Sequence, residues 1–209
     1  MTYKKERGMG MELKIPENFF VGAAMSGPQT EGAYKTGGRL ESIWDTWSDL
    51  SISDFYNKVG SYVGNNFYEK YEDDIKLLKS LHMDSFRTSM QWSRLLTKDG
   101  KLNQEGAQFY HKVCKCAKEN QIELFMNLYH FDMPTYLFER GGWESRDVVE
   151  AYAAYARAAF REFGSEIRYW FTFNEPIVEP DQRYRNGFWY PFIKDAKRGM
   201  QVQYHLSLA

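Results

Sequence analysis

The sequence predicts an α/β domain in which parallel strands alternate with helices. Four segments of six or seven residues are predicted to be strands, and segments whose apolar residues have helical spacing lie between them. No linker or low-complexity stretch divides the 209 residues, so one domain accounts for the whole alternation. This order of elements is typical of a parallel sheet whose strands are joined by covering helices.

The first strand is predicted at residues 19–25, where Phe-Phe-Val-Gly-Ala-Ala-Met forms a buried apolar run. A long loop rich in Gly, Trp and Asp follows, through about residue 65. A helix is predicted next, because apolar residues recur there at intervals of three or four: Phe67, Tyr71, Ile75 and Leu78. The second strand is predicted at residues 85–90.

The next helix and strand follow the same order. Apolar residues with helical spacing indicate a helix, and they are Tyr110, Val113, Cys114 and Ala117. Asn103 is a candidate cap at its start. The third strand is predicted at residues 122–128.

The last predicted pair of elements has the clearest boundaries. Ser145 is expected to cap a third long helix, and Gly164 lies just past its end. The fourth strand is predicted at residues 167–173. From about residue 193, a mixture of polar and apolar residues indicates another helix.

Two architectures contain this alternation, a doubly wound sheet and a TIM (β/α)8 barrel. No Gly-rich phosphate loop follows the first strand, which disfavours a nucleotide-binding doubly wound sheet. Each of the four strands has a polar side chain within it or beyond its end: Gln29 lies just beyond the first, Arg87 in the second, His130 after the third and Glu175 after the fourth. Because the catalytic groups of a TIM barrel lie at the carboxyl ends of its strands, we expect these side chains to surround a barrel mouth.

The composition argues against several classes of function. Lys plus Arg is 27 and Asp plus Glu is 28, so the net charge is −1 and nucleic acid is not an expected partner. No apolar stretch approaches the roughly 18 residues of a membrane span, so no membrane is expected as a partner either. The spacing of His and Cys does not resemble a metal site, and we expect no metal and no organic cofactor.

The cysteines indicate the cellular compartment, and the N-terminal residues indicate where the domain begins. Cys114 and Cys116 are the only cysteines, and two residues apart on a helix they cannot bridge locally. Together with the lack of an Asn-x-Ser/Thr acceptor, this is typical of a reducing cytoplasm, which is the location we expect. Residues 1–12 are predicted to be a polar leader, and residues 13–209 to form the domain.

Residues 170–176 read Trp-Phe-Thr-Phe-Asn-Glu-Pro, an apolar run that ends in an amide, a carboxyl group and a proline. Pro176 stops the strand, so Asn174 and Glu175 lie at its carboxyl end. Glu175 is either a surface glutamate of a connecting loop or a general acid. The neighbouring aromatic residues favour the second interpretation, since partial desolvation favours the protonated carboxyl group.

The other polar residues each allow two interpretations. Asn174 either bonds its own backbone or donates to a sugar hydroxyl. Arg87, inside a buried strand, needs an anion, which is either a structural partner or a catalytic carboxylate. His130 is a core histidine or a donor to a sugar, and Gln29 belongs to a plain turn or contacts the sugar. Four tryptophans are candidates for stacking on a sugar or for core packing: Trp44, Trp92, Trp143 and Trp189.

The chain resembles the family 1 glycoside hydrolases, which are TIM-barrel β-glycosidases. The resemblance runs in order from Phe19 to Pro176 and covers nearly all of the chain. It rests on these motifs: Phe-Phe-Val-Gly-Ala-Ala with Gln-Thr-Glu-Gly, Ser-Ile-Trp-Asp, Tyr-Glu-Asp-Asp-Ile, Phe-Arg-Thr-Ser-Met-Gln-Trp-Ser-Arg, Leu-Tyr-His-Phe-Asp-Met-Pro, Gly-Gly-Trp and Thr-Phe-Asn-Glu-Pro.

This resemblance implies retaining hydrolysis of a β-glucosidic bond, with Glu175 as the general acid/base. It implies that Gln29, His130 and Asn174 hold the sugar, and that Arg87 lies beside the nucleophile. The implied substrate is a small β-glucoside, and no cofactor takes part.

Two motifs look most like those of the bacterial 6-phospho-β-glucosidases, namely Met-Ser-Gly-Pro-Gln-Thr-Glu-Gly and Tyr-His-Phe-Asp-Met-Pro. Most other members of the family have Trp at the position of Phe131. A 6-phosphorylated substrate would suit sugars that are imported and phosphorylated together, which again implies the cytoplasm. A β-glucosidase or β-galactosidase that acts on unphosphorylated sugars is the alternative.

The sequence departs from the family pattern in one large respect. A retaining mechanism needs a second carboxylate roughly 5 to 5.5 Å from the first. The family places it in a Glu-Asn-Gly motif on the seventh strand, and that motif is absent from the 209 residues.

We therefore expect the N-terminal half of a barrel, about four βα units, which is inactive alone. Four parallel strands cannot close, so the open edges are expected to pair with a C-terminal half or to self-associate. A non-catalytic half-barrel, or a truncated fragment that needs a partner half, is a further alternative.

Overall fold

The computed structural model describes residues 14–209, so the predicted leader at residues 1–12 lies outside the described part. Four strands form one sheet: β1 (Gly22–Ala24), β2 (Ser85–Ser89), β3 (Glu123–Tyr129) and β4 (Tyr169–Phe173). All neighbouring pairs are parallel, and the order across the sheet is β1-β2-β3-β4. Strands that follow one another in both sequence and space are typical of a barrel, whereas a doubly wound sheet reverses its order at a switch point.

Eight helices accompany the strands in residues 14–209: α1 (Gly27–Thr30), α2 (Ile43–Leu50), α3 (Phe67–Ser80), α4 (Trp92–Leu95), α5 (Gln104–Glu119), α6 (Thr135–Glu139), α7 (Arg146–Phe163) and α8 (Ala196–Leu208). Shorter 3-10 turns span Ile52–Asp54, Tyr56–Lys58 and Gly142–Glu144, and a π-helical turn spans Pro180–Arg185. The four long helices α3, α5, α7 and α8 confirm the predicted alternation, since one lies after each strand.

The helix ends lie where the capping residues predicted them, but only one of those residues caps its helix as expected. Ser145 Oγ accepts a hydrogen bond from the backbone N–H of Asp147, as expected of a cap. Gly164 follows α7, but its φ of −63° is right-handed, so the helix does not end in a left-handed glycine. Asn103 precedes α5, yet its amide donates to the carbonyls of Gly37 and Arg94 and does not cap the helix.

Two predictions for the first 65 residues were wrong in detail. The first strand is confined to Gly22–Ala24, because Phe19 and Phe20 lie outside the sheet with exposed side chains. The long loop contains helix α2, which a reciprocal pair stabilises at its start. The backbone N–H of Ser42 donates to Oδ2 of Asp45, and the backbone N–H of Asp45 donates to the carbonyl oxygen of Ser42.

The core lies between the sheet and the long helices, and it fixes the carboxyl ends of the strands. Trp92 stacks on Tyr155 of α7, with ring centroids 5.2 Å apart, and both side chains are buried. The hydroxyl group of Tyr155 lies 2.9 Å from the carbonyl oxygens of Met90 and Leu128, just after β2 and near the end of β3. Helix α7 therefore holds two strand ends in place through a single buried side chain.

The opposite face of the sheet is open. Phe125 and Tyr169 stack there at 4.6 Å, and Phe20 and Phe171 beside them are each 42% exposed. Strands β1 and β4 are the edges of the sheet, with no neighbour on their outer sides in residues 14–209. This is the geometry of a partial barrel. Within residues 14–209, none of the helices combines the length and the apolar composition of a membrane span.

Candidate active site

A cleft of about 460 Å³ opens at the carboxyl ends of the strands. It brings together three of the five site residues predicted from the sequence, Gln29, His130 and Glu175. One side of the cleft is an aromatic wall, which we define as Trp44, Phe131 and Trp189. The other two tryptophan candidates, Trp92 and Trp143, are fully buried in the core.

Glu175 lies two residues after the end of β4 and has a left-handed backbone, with φ of 42°. Such a conformation is strained in a residue other than glycine, at a cost of about 1 kcal/mol or more, and such residues cluster at functional sites. The side chain is exposed to solvent. The expected partial desolvation is therefore not found, because β4 is an edge strand and no described segment covers its outer side.

Asn174 and Arg87 meet beside the cleft. Nη2 of Arg87 donates to Oδ1 of Asn174 at 2.8 Å, and the guanidinium lies 5.3 Å from the ring centroid of Phe171. Within residues 14–209, Arg87 makes no ion pair with a carboxylate, so neither of the two ion pairs considered from the sequence is present. The backbone N–H of Asn174 donates to the carbonyl of Tyr129. The side-chain oxygen therefore accepts from Arg87 and not from the backbone N–H of its own residue.

His130 lies at the end of β3 with most of its ring buried. Burial, together with the positive charge of Arg87, lowers the pKa of His130 to about 4. Its ring is therefore neutral near pH 7, with one nitrogen able to donate and one able to accept. Nδ1 is buried with no partner among the described residues.

Asp132 holds the turn that carries His130, and it was not among the residues predicted for the site. Its two carboxyl oxygens accept the backbone N–H groups of His130 at 3.1 Å and Trp92 at 3.0 Å. Burial raises the pKa of Asp132 to about 7 against the effect of these hydrogen bonds. Phe131, between the two residues, has φ of 65°, so this turn too is strained.

Gln29 belongs to the short helix α1, which is tied to the sheet next to it. The backbone N–H of Gly27 donates to Oγ of Ser89 at the end of β2, and Ser26 Oγ donates to Oε1 of Gln29. The Gln29 side chain is exposed at the cleft. Its neighbour Glu31 turns the other way and is buried, so it plays no part in the cleft.

The model of the family described as Glycosyl hydrolase family 1 matches residues 11–209. The chain belongs to this family. The 6-phospho-beta-glucosidase GmuD of Bacillus subtilis (strain 168) is 41% identical over 199 residues, and Beta-glucosidase A of Acetivibrio thermocellus is 35% identical over 199 residues. Each alignment covers 95% of this chain.

Solved structures of family 1 enzymes have the same fold. The β-glucosidase of Thermotoga maritima in complex with deoxynojirimycin superposes with a TM-score of 0.88 at 30% identity over 93% of this chain. The GH1 β-glucosidase of Exiguobacterium antarcticum B7 superposes with a TM-score of 0.88 at 34% identity. The chain spans less than half of its relatives, 43% and 44% of the two curated proteins and 45% and 43% of the two structures. Its four-stranded sheet is therefore part of the TIM barrel of family 1.

One further polar pair in this family 1 chain lies next to the site and was not predicted. Glu179, four residues after Glu175, is buried, and its Oε1 lies 3.1 Å from Nε of Arg183. Glu and Arg four residues apart are a common signature of a helical ion pair, so the sequence did contain a signal for it. No cluster of three or more potential metal ligands occurs within residues 14–209.

Proposed function

We propose that this chain carries the acid/base half of the active site of a retaining β-glucosidase, with Glu175 as the general acid/base. One observation carries the proposal: Gln29, His130 and Glu175 reach a single cleft from the segments that follow three different strands, beside an aromatic wall. A carboxyl group among hydrogen-bonding side chains and aromatic rings suits protonation of a glycosidic oxygen.

Each residue then has a defined role in the two steps of the reaction. Glu175 protonates the departing oxygen while a second carboxylate attacks the anomeric carbon, and Glu175 afterwards accepts a proton from the water that releases the sugar. Asn174, whose amide oxygen is occupied by Arg87, has its N–H groups left for the 2-hydroxyl. The neutral ring of His130 and the amide of Gln29 hold the other hydroxyl groups.

The second carboxylate must come from outside the described residues. Within residues 14–209, Glu175 is the only carboxylate that lines the cleft. Arg87, which has no carboxylate partner among the described residues, is proposed to support that nucleophile. The open edges and the exposed aromatic face of the sheet support pairing with a second half-barrel, which would supply the missing strands.

The substrate is proposed to be a 6-phospho-β-glucoside, in the cytoplasm. The motifs around Gln29 and Phe131 support this, as does 41% identity to a relative named as a 6-phospho-beta-glucosidase. An unphosphorylated β-glucoside is the alternative, supported by 35% identity to a relative named as a beta-glucosidase. The phosphate contacts would also come from the part of the relatives that this chain does not span.

The test compares the 209-residue chain with a chimaera in which the chain continues into the remainder of the Bacillus subtilis relative. We expect the chimaera to hydrolyse 4-nitrophenyl β-glucoside 6-phosphate faster than the unphosphorylated glucoside, and the chain alone to hydrolyse neither. Glu175→Gln should lower kcat of the chimaera by about 10² to 10⁴. Glu139→Gln, an exposed change on α6, should not. Turnover by the chain alone that Glu175→Gln abolishes would show that no second half is needed.

Azide gives a second check that is specific to the acid/base role. In the chimaera carrying Glu175→Gly, a leaving group that needs no protonation still departs, and the glycosyl intermediate accumulates. Azide should then restore turnover and yield the β-glucosyl azide, because it attacks the α-linked intermediate with inversion. An α-glucosyl azide would instead identify Glu175 as the nucleophile, and no rescue would contradict the assignment.

A further inference from the structure

A buried ion pair lies directly behind the aromatic wall of the cleft. Nε of Arg183 and Oε1 of Glu179 are 3.1 Å apart, and the two side chains are 0% and 3% exposed. The approach is too bent for a well-formed hydrogen bond, so the attraction is that of two buried charges. Tyr129 donates its hydroxyl hydrogen to Oε2 of Glu179 at 2.6 Å, and it accepts a hydrogen bond from Nε1 of Trp143. This arrangement anchors the carboxylate in the core.

The other side of the same guanidinium contacts the aromatic wall. Nη2 donates to the carbonyl of Phe131 at 3.4 Å, and Nη1 donates to the carbonyl of Tyr190, the residue after Trp189. The guanidinium carbon lies 5.6 Å from the ring centroid of Trp44 and 5.4 Å from that of Trp189. One buried cation therefore contacts all three wall residues and the loop that carries one of them.

The wall residues also pack on one another, but they come from three separate segments. The ring centroids of Trp44 and Trp189 are 5.1 Å apart, and those of Phe131 and Trp189 are 5.3 Å apart. Trp44 belongs to α2, Phe131 to the strained turn after β3, and Trp189 to the segment before α8. Among the described residues, no other side chain donates a hydrogen bond to the carbonyl of Phe131 or Tyr190.

Stability alone does not account for such an arrangement. Two buried charges lose their hydration, and an apolar pair of similar volume often stabilises a fold equally well or better. What an apolar pair cannot do is hold two backbone carbonyls and two ring faces at fixed angles. The planar fork of arginine does so because its donors diverge in one plane and its faces stack on aromatic rings.

We propose that Arg183 is a positioning residue, which holds Trp44, Phe131 and Trp189 as a rigid surface against which a ring of the bound β-glucoside stacks. This role rests on the proposed function, since it needs the cleft to bind a glucoside. Glu179 fixes the arginine, and Tyr129 and Trp143 fix Glu179. The surface is then ordered before the ligand arrives, which lowers the entropy lost on binding.

The test uses the full chain labelled with 5-fluorotryptophan, whose six tryptophans give six fluorine NMR signals. Single Trp→Phe variants assign the signals, and 4-nitrophenyl β-D-glucoside is the probe. Arg183→Lys keeps a positive charge beside Glu179 but loses the fork. It should shift the signals of Trp44 and Trp189 and raise the Kd of the probe about tenfold, since aromatic contacts are worth about 0.5 to 1.5 kcal/mol each.

Arg185→Lys is the matched control, because Arg185 contacts Asp181 and Gln203 and no wall residue. It should leave both the signals and the Kd unchanged. Should Arg183→Lys fail to fold, the paired change Glu179→Gln with Arg183→Gln removes both charges and takes its place. The role is wrong if the wild-type chain and the Arg183 variant bind the probe equally well. A wild-type chain that does not bind the probe overturns the proposed function of the cleft as well.

Discussion

Arg87 and Asn174 are joined by a 2.8 Å hydrogen bond from Nη2 to Oδ1, which links β2 to the end of β4. Because the amide oxygen is occupied, the amide nitrogen of Asn174 points away from the arginine. In residues 14–209 that nitrogen makes no hydrogen bond. The pairing therefore leaves a fixed donor beside Glu175.

Asn174→Asp separates the two functions of this side chain. The carboxylate should keep the contact with Arg87 as a charge-assisted hydrogen bond, so the midpoint of urea unfolding should not fall. It cannot donate, so the Kd for 4-nitrophenyl β-D-glucoside should rise about tenfold. Unfolding curves and an NMR titration measure the two effects. Asn186→Asp, at an exposed position, is the control that should change neither. Unchanged affinity in Asn174→Asp would remove Asn174 from the sugar site.

His130 should titrate far below an ordinary histidine. Burial and the charge of Arg87 lower its pKa to about 4 from 6.5. The unfolded chain binds this proton more readily, so stability should be lost as pH falls from about 6.5 towards 4. Proton NMR of the ring signals checks the pKa directly. Arg87→Gln should raise the pKa of His130 only part of the way to 6.5, because burial remains. A titration of wild-type His130 near 6.5 would contradict its buried, neutral state.

Glu31 is expected to be a structural residue and not a catalytic one. It accepts hydrogen bonds from Arg94 Nε at 2.7 Å, Gln91 Nε2 at 2.7 Å and the hydroxyl group of Tyr110 at 2.8 Å. Glu31→Gln leaves the charge of Arg94 buried and unpaired, which should lower the free energy of unfolding by about 3 to 5 kcal/mol. Urea unfolding measures this, with the exposed Glu17→Gln as a control that should leave it unchanged. A loss as small as that of the control would show that Arg94 finds other partners.

The elements that could be predicted from the sequence are those whose signal is periodic and local. The helix α7 was predicted with both its boundaries, because Ser145 and Gly164 mark its two ends. The helix α2 was not, because it has only eight residues and lies in a segment whose composition is typical of a loop. The pair Ser42 and Asp45 was the available signal, since a capping box is visible as two residues three apart.

The sequence predicted which residues of the candidate site meet, because their positions follow from the ends of the strands, but it did not predict their contacts. Gln29, His130 and Glu175 were expected to meet because the carboxyl ends of parallel strands lie at one edge of a sheet, and they do line one cleft. The hydrogen bond from Arg87 to Asn174 was not predictable. It joins residues 87 positions apart, and the choice between an amide and a carboxylate depends on which side chains the fold brings close. Exposure of Glu175 likewise depends on what lies beside the outer edge of β4, where residues 14–209 place no further strand.

His111 on α5 should act as a pH-dependent link to the end of α7 and the segment just after it. Its Nδ1 lies 2.6 Å from Glu166 and its Nε2 3.0 Å from Glu162. Burial disfavours the charged ring, but the hydrogen bonds to Glu162 and the charge of Glu166 outweigh it and raise the pKa of His111 above 6.5. The stabilisation is therefore complete below the unfolded pKa and lost as pH rises through the higher folded value. The three side chains are about a third exposed, so we expect this link to contribute at most about 1 kcal/mol to the free energy of unfolding.

Urea unfolding should show His111→Gln less stable than wild type at pH 5.5, with the difference shrinking by pH 9. His82→Gln, an exposed change, should show no such trend, and a gap that widened with pH would rule out a protonated link.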